Sequence, residues 1–167
     1  DNLNINDETL NNLFEELDSL GIVNLRNCEG ISSIVVKEMP AFFNLDIDNC
    51  PNLKRVKLEN NKDHFSLRIK NTINKKKFDL RIEDCKKVHT TFFNDHLSDS
   101  LEIYSDSGSY SASFYYCSFS GSPGEILSKF NNVKFMRIEG CSQEQLELKD
   151  MLNLKQFKFK KQKLYSS

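Results

Sequence analysis

A chain of 167 residues with 38% hydrophobic and 28% charged residues is about one globular domain, and it is too apolar to stay disordered. Its formal charge of −1 excludes wholesale electrostatic attraction to nucleic acid or to an anionic membrane. No apolar run approaches the roughly 20 residues that span a bilayer, so no membrane insertion is expected.

Residues 6–20 carry Leu10, Leu13, Phe14, Leu17 and Leu20 at helical spacing, with acids early and Gly21 just past the end. This predicts an N-terminal helix that caps the open end of a stack of repeats. Residues 20–85 hold a regular repeat: apolar-x-x-apolar-x-apolar-x-x-(Cys or Asn). It reads Leu20, Val23, Leu25, Cys28, then Ile31, Ile34, Val36, Met39, then Phe42, Leu45, Ile47, Cys50, then Leu53, Val56, Leu58, Asn61. Looser copies come at Leu67, Ile69, Thr72 and at Leu80, Ile82, Cys85. The two central apolar positions are two apart, the spacing that puts both side chains on one face of a strand, and polar residues stand between them.

The segments Phe42-x-x-Leu45-x-Ile47-x-x-Cys50 and Leu53-x-x-Val56-x-Leu58-x-x-Asn61 resemble the signature of the leucine-rich-repeat family, LxxLxLxx(N/C)xL, and the resemblance extends over 17–162. It implies a solenoid of short parallel strands that works as a binding surface, with one signature per coil of about 20–29 residues. Here the signature recurs at half that spacing. The expected coil is therefore about 22 residues long with a strand on each of two sides, so that consecutive copies lie on opposite faces. The fold class expected is a β-rich α/β solenoid with leucine-rich-repeat-like parallel strands on one or two faces. A flatter two-sheet β-solenoid would carry the same pattern.

Residues 86–132 interrupt the repeat and read as irregular excursions, 86–100 irregular or helical. Loose copies are assigned at Leu101, Ile103, Asp106 and at Phe114, Tyr116, Phe119. The Ser-rich stretch 104–122, with Tyr104, Tyr110, Tyr115 and Tyr116, is a candidate contact patch, because Tyr and Ser suit adaptable recognition. Ser122-Pro123-Gly124-Glu125 matches a capping box with Pro in the first helical position, which predicts a short helix near 122–130. Repeats resume over 133–162, at Val133, Met136, Ile138, Cys141, then Leu146, Leu148, Met151, then Leu154, Phe157, Phe159. The basic run 155–163 reads as an edge strand guarded by lysines.

Cys28, Cys50, Cys85, Cys117 and Cys141 are five in number, spread along the chain and mostly in the repeat's corner slot, so they read as reduced, buried thiols. His64, His89 and His96 are scattered without metal-ligand spacing, and no nucleophile or phosphate-binding motif occurs. No metal, cofactor or enzymatic activity is therefore expected.

The domain 1–167 reads as one repeat unit that binds another protein through exposed strand faces and the 104–122 segment. A glycan-binding surface adhesin and a β-helix polysaccharide hydrolase or lyase are the alternatives. In a 22-residue coil Arg26, Asp48 and Lys70 fall in adjacent rungs of one face, as do Asn24, Asp46 and Arg68. Lys57 and Glu59 neighbour Arg81 and Glu83 on the other. Arg26, Asp46, Asp48, Arg68, Lys70, Tyr104 and Tyr110 are the candidate contact residues. The chain begins at Asp1 without Met, which points to a processed or excised piece and to a secreted or surface setting, whereas unpaired cysteines suit a reducing one.

Overall fold

The structure is a computed structural model that describes residues 5–16, 21–39, 43–74, 76–141, 146, 148 and 150–161. After helix α1 (Asp7–Glu16) come β1 (Ile22–Arg26), β2 (Ser33–Lys37), β3 (Phe43–Asp48), β4 (Arg55–Glu59), β5 (His64–Lys70) and β6 (Phe78–Glu83). Next are β7 (Lys87–Phe93), β8 (His96–Ser98), β9 (Leu101–Ser105), β10 (Tyr110–Tyr115), β11 (Ser118–Ser120), α2 (Pro123–Ser128), β12 (Val133–Glu139) and β13 (Gln156–Lys160). All strand pairs are parallel. One sheet has seven strands in the order β1-β3-β5-β7-β10-β12-β13, a second has four, β2-β4-β6-β9, and a two-stranded ribbon joins β8 to β11. The chain is a β-solenoid of about six turns that alternates sides, β1 to β2 to β3.

The alternation comes from the 11-residue spacing. In β3, Phe43, Leu45 and Ile47 are buried while Asn44, Asp46 and Asp48 are half-exposed. One coil on, the same inward positions meet like residues: Phe43 opposite Phe65, Leu45 opposite Leu67, Ile47 opposite Ile69. Stacking apolar side chains rung on rung removes them from water on both sides of each strand, at roughly 1.5–3 kcal/mol per large residue. Later coils stack aromatics instead. Phe92 lies face to face with Phe114 at 5.2 Å, and Phe130, just past α2, sits edge-on to both.

The corners carry the chain from one side to the other. The residue after most strands is left-handed: Asn27, Asn49, Asn71 and Asn94 along the seven-stranded sheet, Asn60 and Asp84 along the four-stranded one. Asn and Asp tolerate this conformation best among residues with a side chain. Each corner Asn N–H then donates to a carbonyl of the next coil, as Asn27 does to Asp48 (3.0 Å) and Asn94 to Tyr115 (2.9 Å), while the Asp84 N–H donates to Asp106 Oδ1 (2.7 Å). The next residue turns inward. There Asn61 Oδ1 accepts from Met39 N–H (3.0 Å), Thr72 Oγ1 from Cys50 N–H (3.3 Å), and Asp95 Oδ1 from Thr72 and Ile73 N–H (2.8 and 2.9 Å). Cys50, Cys85, Cys117 and Cys141 occupy the same slot, buried and unpaired, and turn their thiols to backbone carbonyls. At Gly140 (φ +70°) a side chain would meet the Tyr116 ring at 2.6 Å, so only glycine suits that corner.

In α1, Leu10 and Phe14 are buried and Leu13 is exposed. Phe14 meets Phe43 edge-on at 5.9 Å. Asp7 accepts from the N–H groups of Ser32 and Ser33 (2.6 and 3.0 Å), and Asn11 accepts from that of Val35 (3.1 Å), so this helix satisfies donors along the edge strand β2. Burial alone would raise the Asp7 pKa, but the hydrogen bonds from Ser32 and Ser33 outweigh it and hold the group below its usual value. Leu17, Leu20 and Phe42 lie outside the described residues. The expected helix near 122–130 is α2, with Ser122 accepting from Glu125 N–H and with Ile126 and Leu127 buried.

Three expectations need correction. Residues 86–100 are not irregular or helical: they hold β7, whose inward Val88, Thr90 and Phe92 are buried, and β8. The degenerate copy is out of register by two. Ala112 and Phe114 point inward with Cys117 in the corner slot, while Tyr116 is a half-exposed, left-handed corner residue. The stretch 104–122 is not one patch, because it is divided among β9, β10 and β11 in three different sheets.

Candidate functional site: the outer face of the seven-stranded sheet

The register of this sheet aligns outward side chains in rows across the strands. One row runs Asn24, Asp46, Arg68, Thr91, Ser113, Arg137, Lys158, and the next runs Arg26, Asp48, Lys70, Phe93, Tyr115, Glu139, Lys160. Five of the seven expected contact residues, Arg26, Asp46, Asp48, Arg68 and Lys70, fall together here. With Ile47 and Phe93 they line a depression of about 130 Å³. A shallower hollow continues from it, bounded by Ser66, Thr91 and Tyr115.

The other two fall elsewhere. Tyr110 is a core residue, 1% exposed, whose hydroxyl lies 3.1 Å from Thr90 Oγ1. Burial pushes its phenol pKa up, and it offers no atom to a partner. Tyr in a Ser-rich stretch looks like loop, whereas it forms β10, which turns Tyr110 into the core. Tyr104 is half-exposed, but on β9 at the edge of the four-stranded sheet.

Within the site, the small Thr91 and Ser66 line the hollow, and Ser113 in the next strand is buried. Thr91 of β7 and Ser113 of β10 stand between Arg68 of β5 and Arg137 of β12. Beside them Phe93 and Tyr115 pair at 6.5 Å, with Lys70 over the Phe93 ring (5.8 Å) and Arg137 over the Tyr115 ring (5.5 Å). On the other flank His89 Nδ1 lies 2.7 Å from Ser111 Oγ, and its Nε2 lies 3.2 Å from Thr91 Oγ1. Burial, reinforced by the charge of His64, lowers the His89 pKa, so the ring is neutral at pH 7.

The charges on this face are unbalanced. Its strands turn Arg26, Arg68, Lys70, Lys87, Arg137, Lys158 and Lys160 outward against Asp46, Asp48 and Glu139. Arg68 reaches Asp46 (3.5 Å), Lys70 reaches Asp48 (3.3 Å), and Arg137 and Lys160 share Glu139. The Asn71 amide, with Lys70 behind it, holds the Asp48 carboxyl below the usual range, while Lys160 and then Arg137 do the same for Glu139. Arg26, Lys87 and Lys158 meet no carboxylate at ion-pair distance among the described residues.

Comparison with known proteins finds no matching family model, no similar curated protein and no similar solved structure. The geometry of this face therefore carries the functional argument. Among the described residues no group of three His, Cys, Asp or Glu side chains is placed to hold a metal ion, and no helix is long and apolar enough to cross a membrane.

Sequence reasoning misses Phe93, Thr91 and Arg137, and it reaches Tyr115 only as one member of the 104–122 stretch. Counting 22 residues on from Lys70 lands on Phe92, one short of Phe93, because this coil holds one extra residue.

Proposed function

We propose that the chain is a non-catalytic recognition module of the kind the leucine-rich-repeat resemblance implies, holding another protein on the outer face of its seven-stranded sheet, with α1 as its N-terminal cap. The observation that carries this reading is the hollow lined by Arg68, Phe93 and Tyr115, with Arg137 over the Tyr115 ring, on a face where cations exceed carboxylates and two aromatic rings are only half-buried. A surface with unspent charge, aromatic anchors and a hydroxyl floor has the composition of an interface centre. A sugar-stacking role is less favoured, because both ring faces already carry a cation, Lys70 on Phe93 and Arg137 on Tyr115.

The test is photo-crosslinking in an extract of the source cells. A photoreactive residue replaces Ser66, beside the hollow, or Val35, on the outer face of β2. A discrete crosslinked protein from position 66 that disappears in Arg68→Glu, with none from position 35, is the expected result. Equal products from both positions would remove the assignment to this face.

A further inference from the structure

We propose that this face takes an extended acidic segment laid across the strands, with carboxylates four residues apart gripped by Arg68 and Arg137. The inference rests on the recognition reading above and adds the chemistry of the occupant.

The register fixes the spacing. Arg68 stands directly opposite Thr91, Thr91 opposite Ser113, and Ser113 opposite Arg137, so the two arginines are three strand spacings apart. At roughly 4.8 Å per strand that is about 14 Å. An extended chain advances roughly 3.3 Å per residue and repeats its side-chain direction every second one, so positions i and i+4 face the same way about 13 Å apart. A spacing of two covers only about 7 Å and cannot reach both.

The intervening side chain, at i+2, settles into the hollow that Thr91 lines with Phe93 and Tyr115, while Ser113 in the next strand is buried. Both arginines keep capacity for a ligand. Arg68 turns Nη1 to Asp46, and Arg137 turns Nη2 to Glu139 (2.6 Å), while a guanidinium has five N–H donors in a planar fork suited to carboxylates. Charge complementarity selects the sign. Lys158 stands opposite Arg137, and it, Arg26 and Lys87 on the same face meet no carboxylate at ion-pair distance among the described residues, so a ligand bringing negative charge meets a face with cations in excess.

The opposite sheet shows what a face without such capacity looks like. On its strands Lys57 lies between Glu59 and Glu83 (3.0 and 2.8 Å), and Asp79 lies between Arg55 and Arg81 (both 3.1 Å).

The experiment uses fluorescein-labelled, end-blocked peptides on a Ser/Val background with two Glu either four or two residues apart, read by fluorescence anisotropy against the whole chain. The four-residue spacing is expected to bind about tenfold tighter, and more weakly as salt rises from about 50 to about 200 mM. Arg68→Glu and Arg137→Glu are each expected to lose about tenfold or more, while Arg81→Glu on the other sheet leaves affinity unchanged. Circular dichroism checks that each variant is folded. Equal affinity for both spacings, or unchanged affinity in Arg68→Glu, would overturn the proposal. So would binding of an oligogalacturonate but of neither peptide. Should no peptide bind while Arg68→Glu still abolishes the crosslinked partner, the acidic occupant is wrong and the recognition face stands. If the crosslink also survives Arg68→Glu, both fall.

Discussion

The two broad faces of this solenoid are built from the same repeat and end up chemically opposite. On the four-stranded sheet, outward Lys37, Arg55, Lys57 and Arg81 meet Glu59, Asp79, Glu83 and Glu102, and every one of these eight side chains has an ion-pair partner. The seven-stranded sheet turns out more cations than carboxylates, and small Thr91 and Ser66 beside Arg68, Phe93 and Tyr115 leave a hollow. Self-complementary charges in adjacent rungs stabilise a surface that asks for nothing else. A surface whose charges are not spent internally leaves them available to the partner proposed above. The difference lies in a handful of outward residues, because the inward ones obey one rule on both sides.

The harshest test of that shared rule is Leu58→Asp. Leu58 is fully buried under the four-stranded sheet, so the variant buries an unpaired carboxylate at several kcal/mol and is expected to lose its cooperative thermal transition. Lys57→Asp, one residue away and outward, is expected to stay folded with a lowered midpoint that recovers in salt, since it sets a third carboxylate beside Glu59 and Glu83. Equal loss of structure in both would break the inward/outward distinction on which the comparison of faces depends.

The corner slots sharpen it further. Asn61 on the four-stranded side and Asp95 on the seven-stranded side do equivalent work, but Asp95 can ionise. Burial pushes its pKa up to about 6, against the lowering effect of the N–H groups of Ile73, Thr72 and Phe93. A carboxyl whose folded pKa is raised binds more protons folded than unfolded. Its stabilising contribution is therefore complete below about pH 4 and lost as pH rises through about 6, amounting to about 2–3 kcal/mol. Chemical denaturation from pH 7 to pH 5 is expected to show the wild type gaining stability relative to Asp95→Asn, because His64 and His89, whose pKa values burial lowers, cost both proteins stability over the same window. A difference between the two proteins that does not change with pH would refute the assignment.

Gly140→Ala places a side chain in a left-handed corner and against the Tyr116 ring, for an expected loss of about 1–2 kcal/mol by urea denaturation. Adding Tyr116→Ala should return only the part due to the ring; full recovery would mean that backbone conformation costs nothing there.

The smallest effect is chemical. Cys28 is half-exposed, while burial raises the pKa of Cys50 to about 11 and pushes Cys85, Cys117 and Cys141 up as well. A thiol reagent at pH 7.5 is expected to modify one cysteine rapidly and the remaining four only on unfolding. Rapid modification of all five would mean that the corners are open.

Much of this is legible in the sequence. Spacing of 11 with paired apolar residues places Val36 and Leu58 on one side and Leu45 and Leu67 on the other, and the charged rung Arg26, Asp48, Lys70 pairs as the 22-residue coil requires, while Lys57 and Glu59 meet Arg81 and Glu83 across a coil two residues longer. The strand β7 is hidden because its inward and corner positions include Thr90 and Asp95, polar residues satisfied by Tyr110 and by backbone N–H groups that no periodicity displays. In β10 either of two registers puts an aromatic inside, and only contact with Phe92 selects Phe114 over Tyr116. The corner conformation does leave a signal in the chain: Asn or Asp directly before the inward slot, at Asn27, Asn49, Asn60, Asn71, Asp84 and Asn94.

What the amino-acid order determined by itself is the winding: a strand's side chains alternate, so a strict 11-residue apolar pair leaves the chain no other way to bury both sides at once. What the tertiary structure alone decided is which distant residues become neighbours on the outer surface. One extra residue in a coil moves a row by a whole position, and so Arg68, Thr91, Ser113 and Arg137 come into line only through the hydrogen-bonded register of the folded sheet.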